Sequence, residues 1–278
     1  MIEPQAPSPT VVVPALPRRA GSPVAGFFID LLVGLGVLLS VSVGATLIWG
    51  VWRGFEIAMQ ARHEGFTATP DQIARMLGQP GAMAQMLIAL VSTASAALLL
   101  YFWRRRASAQ EKQASRAAIA RRSTWIRIGA VALGVFVFSA AIGTLAEHLG
   151  IHPVPTNLAL MEEAIDQWPW FLIVFAVVLA PAYEELMFRR VLFGRLLAAG
   201  RPWLGMLLSS LAFALLHEVP GISGNGPWAI FQLWLVYGTM GAAFAWLYWR
   251  TGTLWAPIVA HGLNNAIALV ALHWFGIP

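Results

Sequence analysis

The chain has 278 residues, of which 58% are hydrophobic and 11% charged, with no cysteine and a formal net charge of +5. Soluble domains carry roughly a quarter charged residues, so this balance excludes an ordinary soluble protein. It predicts an all-α, polytopic transmembrane bundle of about seven or eight membrane helices. The basic excess lies in short arginine clusters between apolar runs, a positive-inside pattern that argues against a nucleic-acid partner. The missing cysteines exclude disulfides, thiolate metal sites and a cysteine nucleophile.

Residues 1–23, with Pro4, Pro7, Pro9, Pro14 and Pro17 ahead of Arg18-Arg19, are expected to form a disordered cytoplasmic tail. Residues 24–150 are expected to hold the N-terminal transmembrane helices and 151–278 the region that carries chemistry. The first span is expected over 31–51, with Asp30 at its mouth as an interfacial carboxylate. A loop with a short amphipathic helix should follow over 53–80. The second span covers 82–103 and ends at Arg104-Arg105-Arg106, which opens a basic loop reaching Arg127 and acting as a topology anchor. The third covers 126–146, and an acidic loop with Glu147, Glu162, Glu163 and Asp166 follows it. The fourth starts at Trp168-Pro169-Trp170, with proline in the first turn, and continues through Glu184 to about 199. The fifth covers 203–217, the sixth 228–249 and the seventh 254–274. A cytoplasmic N-terminus puts most of the 18 Lys and Arg residues on that side.

Two adjacent carboxylates, Glu184 and Glu185, stand near the end of an apolar run. An ionisable residue there costs at least ~2.5 kcal/mol near the bilayer centre and is a functional candidate by default. Glu185 and Arg189 are four apart, acid first, the favourable order for a same-face pair. Glu184 lies ~100° round the helix and points elsewhere. Phe213 and His217 are four apart, as are His261 and Asn265. Glu184 lies about sixteen residues before the turn at 200–202 and His217 about seventeen after it. At ~1.5 Å per residue both stand roughly 24 Å from that turn in an antiparallel hairpin. His261 and Asn265, on the last span, reach ~15 to 20 Å from the same side. Three helices can therefore bring two acids, two imidazoles and an amide to one level. Taken singly, a membrane histidine is more often a packing residue and an asparagine helix–helix glue. Their convergence in a chain otherwise nearly free of intramembrane charge favours function.

Glu184-Glu185-x-x-x-Arg189, Phe213-x-x-x-His217 and His261-x-x-x-Asn265, in that order, resemble the CPBP intramembrane proteases. This is the CAAX protease and bacteriocin-processing, or "Abi", family. The resemblance covers about residues 168–275. It implies proteolysis within the membrane, with Glu184 as general base and His217 helping to hold the attacking water. It assigns His261 and Asn265 to the surroundings of the substrate carbonyl, and Glu185 with Arg189 to a supporting pair. Independently, amide hydrolysis needs an activated water, oxyanion donors and a proton for the leaving amine, and these residue types can supply all three.

The implied substrate is a membrane-associated peptide or protein. No cofactor is assigned: a metal-free, glutamate-dependent reading is favoured, and a metalloprotease reading would give a divalent metal such as zinc to Glu184, His217 and His261. The H-E-x-x-H signature of zinc proteases is absent, since Glu218 follows His217 with no second histidine four residues on. The alanine-rich, lysine-poor composition suggests a bacterial inner membrane, and in that setting the resemblance implies peptide maturation or bacteriocin immunity. Two alternatives stay open: a proton-coupled transporter relaying through Glu184, His217 and His261, and a non-catalytic membrane scaffold or immunity protein.

Overall fold

A computed structural model describes residues 21–65 and 69–275, with the side chain of the last of these left aside. Most of the expected N-terminal tail lies outside the described residues. Ten helices account for the described chain, and six of them are long and apolar enough to cross a membrane. The six are α1 (Pro23–His63), α3 (Ala82–Arg104), α5 (Arg122–His148), α7 (Pro169–Ala198), α9 (Pro227–Thr251) and α10 (Trp255–Phe275). A shorter apolar helix, α8 (Pro202–His217), packs within the same bundle. Three short helices lie between the long ones: α2 (Pro70–Leu77), α4 (Ala109–Ile119) and α6 (Leu158–Gln167).

The first span is longer than hydropathy predicts. α1 begins at Pro23 behind the Ser22 cap and runs for 41 residues, ~61 Å at 1.5 Å per residue against a hydrocarbon core of ~30 Å. The charged stretch after residue 51 stays helical because its polar side chains support one another. Arg53 pairs with Glu56 at 3.0 Å and Gln60 with Glu64 at 2.9 Å. The stop comes at Gly65, where φ is +80°.

Asp30 also departs from expectation. It is completely buried two turns into α1, accepting from Arg104 Nε at 2.8 Å and Arg195 Nε at 2.7 Å. One carboxylate thus ties α1 to the ends of α3 and α7. The basic loop is likewise more than an anchor. α4 starts with a capping box at Ser108 and Glu111, and Glu111 takes a bidentate pair of bonds from Arg190 at 2.8 and 3.0 Å. At the other end of the bundle Glu163 of α6 accepts from the first backbone N–H of α3, Ala82, at 3.0 Å. That carboxylate replaces the side-chain cap which Gly81 cannot supply.

α7 occupies the centre, against α1, α3, α8 and α10. It is not a uniform α-helix: Phe175–Leu179 and Leu186–Phe193 are wound as π-helix. Such segments re-aim side chains and recur at functional sites. In the first, the N–H of Ala180 bonds to Phe175 five residues back. The next bond of that register would run from residue 181 to Ala176, but Pro181 has no N–H. The second segment carries Arg189, with Met187, Phe188, Val191, Leu192 and Phe193 buried around it. α7 ends on Gly200 at φ +73°, where Gly200 and Arg201 donate back to Leu197 and Leu196, a left-handed cap that glycine fits. Pro202 then opens α8.

Candidate active site

Glu184 and Glu185 sit on the α-helical turn between the two π segments of α7. Glu185 is fully buried and faces inward. Its Oε2 is 2.9 Å from Arg189 Nε, in ion-pair contact though not aligned as a hydrogen bond. Its Oε1 is 2.9 Å from His261 Nδ1. Arg189 is itself 1% exposed. Its guanidinium lies over the rings of Phe213, Phe244 and Phe188 at 4.7, 5.4 and 5.8 Å and donates to the carbonyl of Gly241 at 3.3 Å. Truncating one partner of such a pair would strand a buried charge, which typically costs ~3–5 kcal/mol.

Glu184 points to a different side and is partly open, at 21% side-chain exposure against none for Glu185. Its Oε2 lies 3.8 Å from His217 Nε2 and 3.9 Å from His261 Nε2, with no hydrogen-bond donor among protein groups. Each imidazole is held by its other nitrogen. His217 Nδ1 is 2.8 Å from the carbonyl of Phe213, and its ring lies between those of Phe213 and Tyr237, at 4.1 and 4.8 Å. His261 stacks on Phe244 at 5.0 Å and bonds to Glu185. A carbonyl and a carboxylate can only accept, so in the neutral rings both Nδ1 atoms carry the proton. Both Nε2 lone pairs therefore converge on one carboxylate oxygen. Three acceptors facing each other call for a proton donor or a cation between them.

Asn265 lies one turn beyond His261 on α10. Its amide donates at 2.9 Å to the carbonyl of Ala176, the one left without a helical donor by Pro181. One of its two N–H groups is thus spent on the scaffold and the other is free for a ligand. Of the six residues singled out by spacing, Glu184, Glu185, Arg189, His217 and His261 meet here, and Asn265 lies one turn further along α10. Among the described residues no group of three or more His, Asp or Glu side chains converges closely enough to hold a metal ion.

α8 has 16 residues and α9 has 25, so α8 stops ~14 Å short of the start of its neighbour. His217 is its last residue, and the segment from Glu218 to Gly226 forms the connection. Tyr237 and Glu218 escape a motif-based search. Tyr237 lies in an apolar run with no polar partner four residues away, and Glu218 is informative only once the loops around it are folded.

A family model described as Type II CAAX prenyl endopeptidase Rce1-like matches residues 166–267, which contain all six residues. The chain is 30% identical over 138 residues to the candidate membrane peptidase YdiL of Bacillus subtilis (strain 168), covering 49% of this chain and 52% of that protein. It is 30% identical over 145 residues to the UPF0177 protein YbdI of Lactococcus lactis subsp. lactis (strain IL1403), covering 50% and 73% respectively. To the membrane-embedded CAAX protease MroQ of Staphylococcus aureus (strain USA300) it is 28% identical over 152 residues, 52% of this chain and 56% of the relative. The chain thus spans about half the length of the first of these relatives. No solved structure matches it. With its three motifs on α7, α8 and α10 and 73% of one relative covered at 30% identity, the chain belongs to the CPBP family.

Proposed function

We propose that this protein is an intramembrane endopeptidase that hydrolyses a peptide bond of a membrane-associated peptide or protein. The observation that carries the proposal is the meeting of Glu184 Oε2 with two tethered imidazoles at 3.8 and 3.9 Å. A water molecule between them donates to Glu184 and is oriented by His217. Its oxygen attacks the scissile carbonyl carbon as its proton passes to Glu184, which then protonates the leaving amine as the C–N bond breaks. The products are a carboxylic acid and an amine, between which the second proton then passes. Negative charge on the tetrahedral oxygen is met by an N–H of Asn265 and by His261 when its Nε2 carries a proton, with Glu185 holding the ring through Nδ1. One such donor contributes ~2.7–4 kcal/mol to the transition state. Arg189 acts through Glu185 and keeps that carboxylate in place.

No step of this scheme passes through a metal ion. The cluster of arginines around Arg104, Arg190 and Arg195 supports a cytoplasmic orientation of that end, in a bacterial inner membrane. The test is Glu184→Gln in proteoliposomes. Its substrate is a protein that mass spectrometry finds accumulated in the membranes of a deletion strain. Loss of a general base lowers the rate by ~100-fold or more. Cleavage at the wild-type rate by this variant would remove the proposal, as would a wild type that conducts protons and cuts nothing.

A further inference from the structure

Glu218 follows His217 directly and belongs to no motif. It is completely buried, yet no arginine, lysine or histidine pairs with it among the described residues. Its carboxylate is met by neutral donors from two separate connections. Oε2 accepts from the Thr156 hydroxyl at 2.6 Å. Oε1 accepts from Asn225 Nδ2 at 3.0 Å and from the Ser223 hydroxyl. Asn225 in turn bridges Val154, accepting from its N–H at 3.0 Å and donating to its carbonyl at 2.8 Å. The backbone carbonyl of Glu218 accepts from Trp234 Nε1 on α9 at 2.8 Å. Trp234 is one turn before Tyr237, whose ring lies against His217.

A buried carboxylate is costly to keep for a loop closure alone, since an amide or hydroxyl could make some of these bonds with less desolvation. Its position explains it better. At Glu218 the chain leaves the helix for an extended conformation, with φ −137° and ψ 102°. The last turn of α8 therefore has no continuing helix to hold it. The side chain and carbonyl of Glu218 fix that end from three directions: the 151–157 segment, the 218–226 segment and α9.

We infer that Glu218 is a positioning residue, which holds the last turn of α8 so that His217 keeps its Nδ1 proton on Phe213 and its Nε2 towards Glu184. The catalytic meaning of this rests on the water-activating role proposed for Glu184 and His217, but the geometry can be tested without it. The probe is solid-state NMR of 15N-histidine-labelled protein in liposomes, with the His217 signals assigned by their loss in His217→Ala. Wild type should show the Nδ1-protonated tautomer alone. In Glu218→Gln, where the new amide N–H faces donors, the Nε2-protonated form should appear. Thr156→Val, which removes one bond and leaves the carboxylate, should change the spectrum in the same direction to a smaller extent.

A wild-type His217 spectrum in Glu218→Gln overturns the inference. If that variant fails to fold, an unchanged spectrum in Thr156→Val overturns it equally. In the cleavage assay Glu218→Gln should lose at least tenfold in kcat with KM within twofold; a purely structural role would lower thermal stability and leave kcat per folded molecule unchanged. A wild type without peptidase activity would refute the proposed function, while the tautomer measurement would still decide this one.

Discussion

Asn265 donates its side-chain amide to the main-chain carbonyl of Ala176 across 2.9 Å, joining α10 to the first π segment of α7. Pro181 is the reason that carbonyl is available, because the π register assigns it to a residue with no N–H. The asparagine thus completes the backbone of the helix that carries both glutamates. Asn265→Ala should destabilise the protein by ~1–3 kcal/mol, the cost of an orphaned buried acceptor. Pro181→Ala restores a backbone donor, so the same asparagine change should cost less in that background. Thermal unfolding of the four proteins in detergent gives the coupling, expected to be at least ~0.5 kcal/mol. Additive effects would show that the missing donor of Pro181 is not what the asparagine compensates.

The residues of this interaction show what sequence could convey. The spans were legible because apolar runs of sufficient length have few other uses, and Glu185–Arg189 was legible because four residues return to the same face of a helix. His261 at Glu185 needed two helices to meet, and spacing could establish only that the heights agreed. Asp30 looked interfacial because its two partners lie 74 and 165 residues away, beyond any local pattern. Hydropathy ended the first span near residue 51 although the helix continues, since apolarity reports the solvent and not the backbone. The π segments have no propensity signature of their own. Only Pro181, in the middle of an apolar helix, hinted that the register breaks there.

The contact between α4 and α7 should depend on pH through Glu111. Partial burial alone would raise the Glu111 carboxyl, but the bonds from Arg190 and from Ser108 outweigh it and lower it from 4.5 to about 2. A carboxylate depressed in the folded state contributes stability that is fully present above its unfolded value and disappears as pH falls through the folded one. Docking of α4 should therefore be constant above pH 4.5 and weaken progressively towards pH 2. Hydrogen exchange of the amides in 109–119, measured in nanodiscs, would follow it. Glu111→Gln should exchange faster at neutral pH and lose the dependence in that window; a variant with the wild-type profile would assign the effect to another group.

Gly262, next to His261, lies where α10 packs tightly against α7. A Cβ built on it would stand 2.3 Å from the carbonyl oxygen of Val177, a backbone atom that cannot rotate away. Gly262→Ala must therefore push the two helices apart, and the residues on either side register the shift. His261 is drawn back from Glu185, and Asn265 from Ala176. Overpacking of this kind costs ~1–3 kcal/mol, and under the proposed function it should also remove most cleavage activity, because both residues proposed to meet the oxyanion move together. Gly238 on α9 is the control, since a Cβ there meets nothing within 4 Å. Alanine at 238 should be neutral or stabilising by up to ~1 kcal/mol, as expected for glycine replaced within a helix. Melting temperatures and cleavage rates of the two variants, compared in the same detergent, separate the cases. Equal stability and equal activity would mean that α7 and α10 do not approach as closely as the site requires.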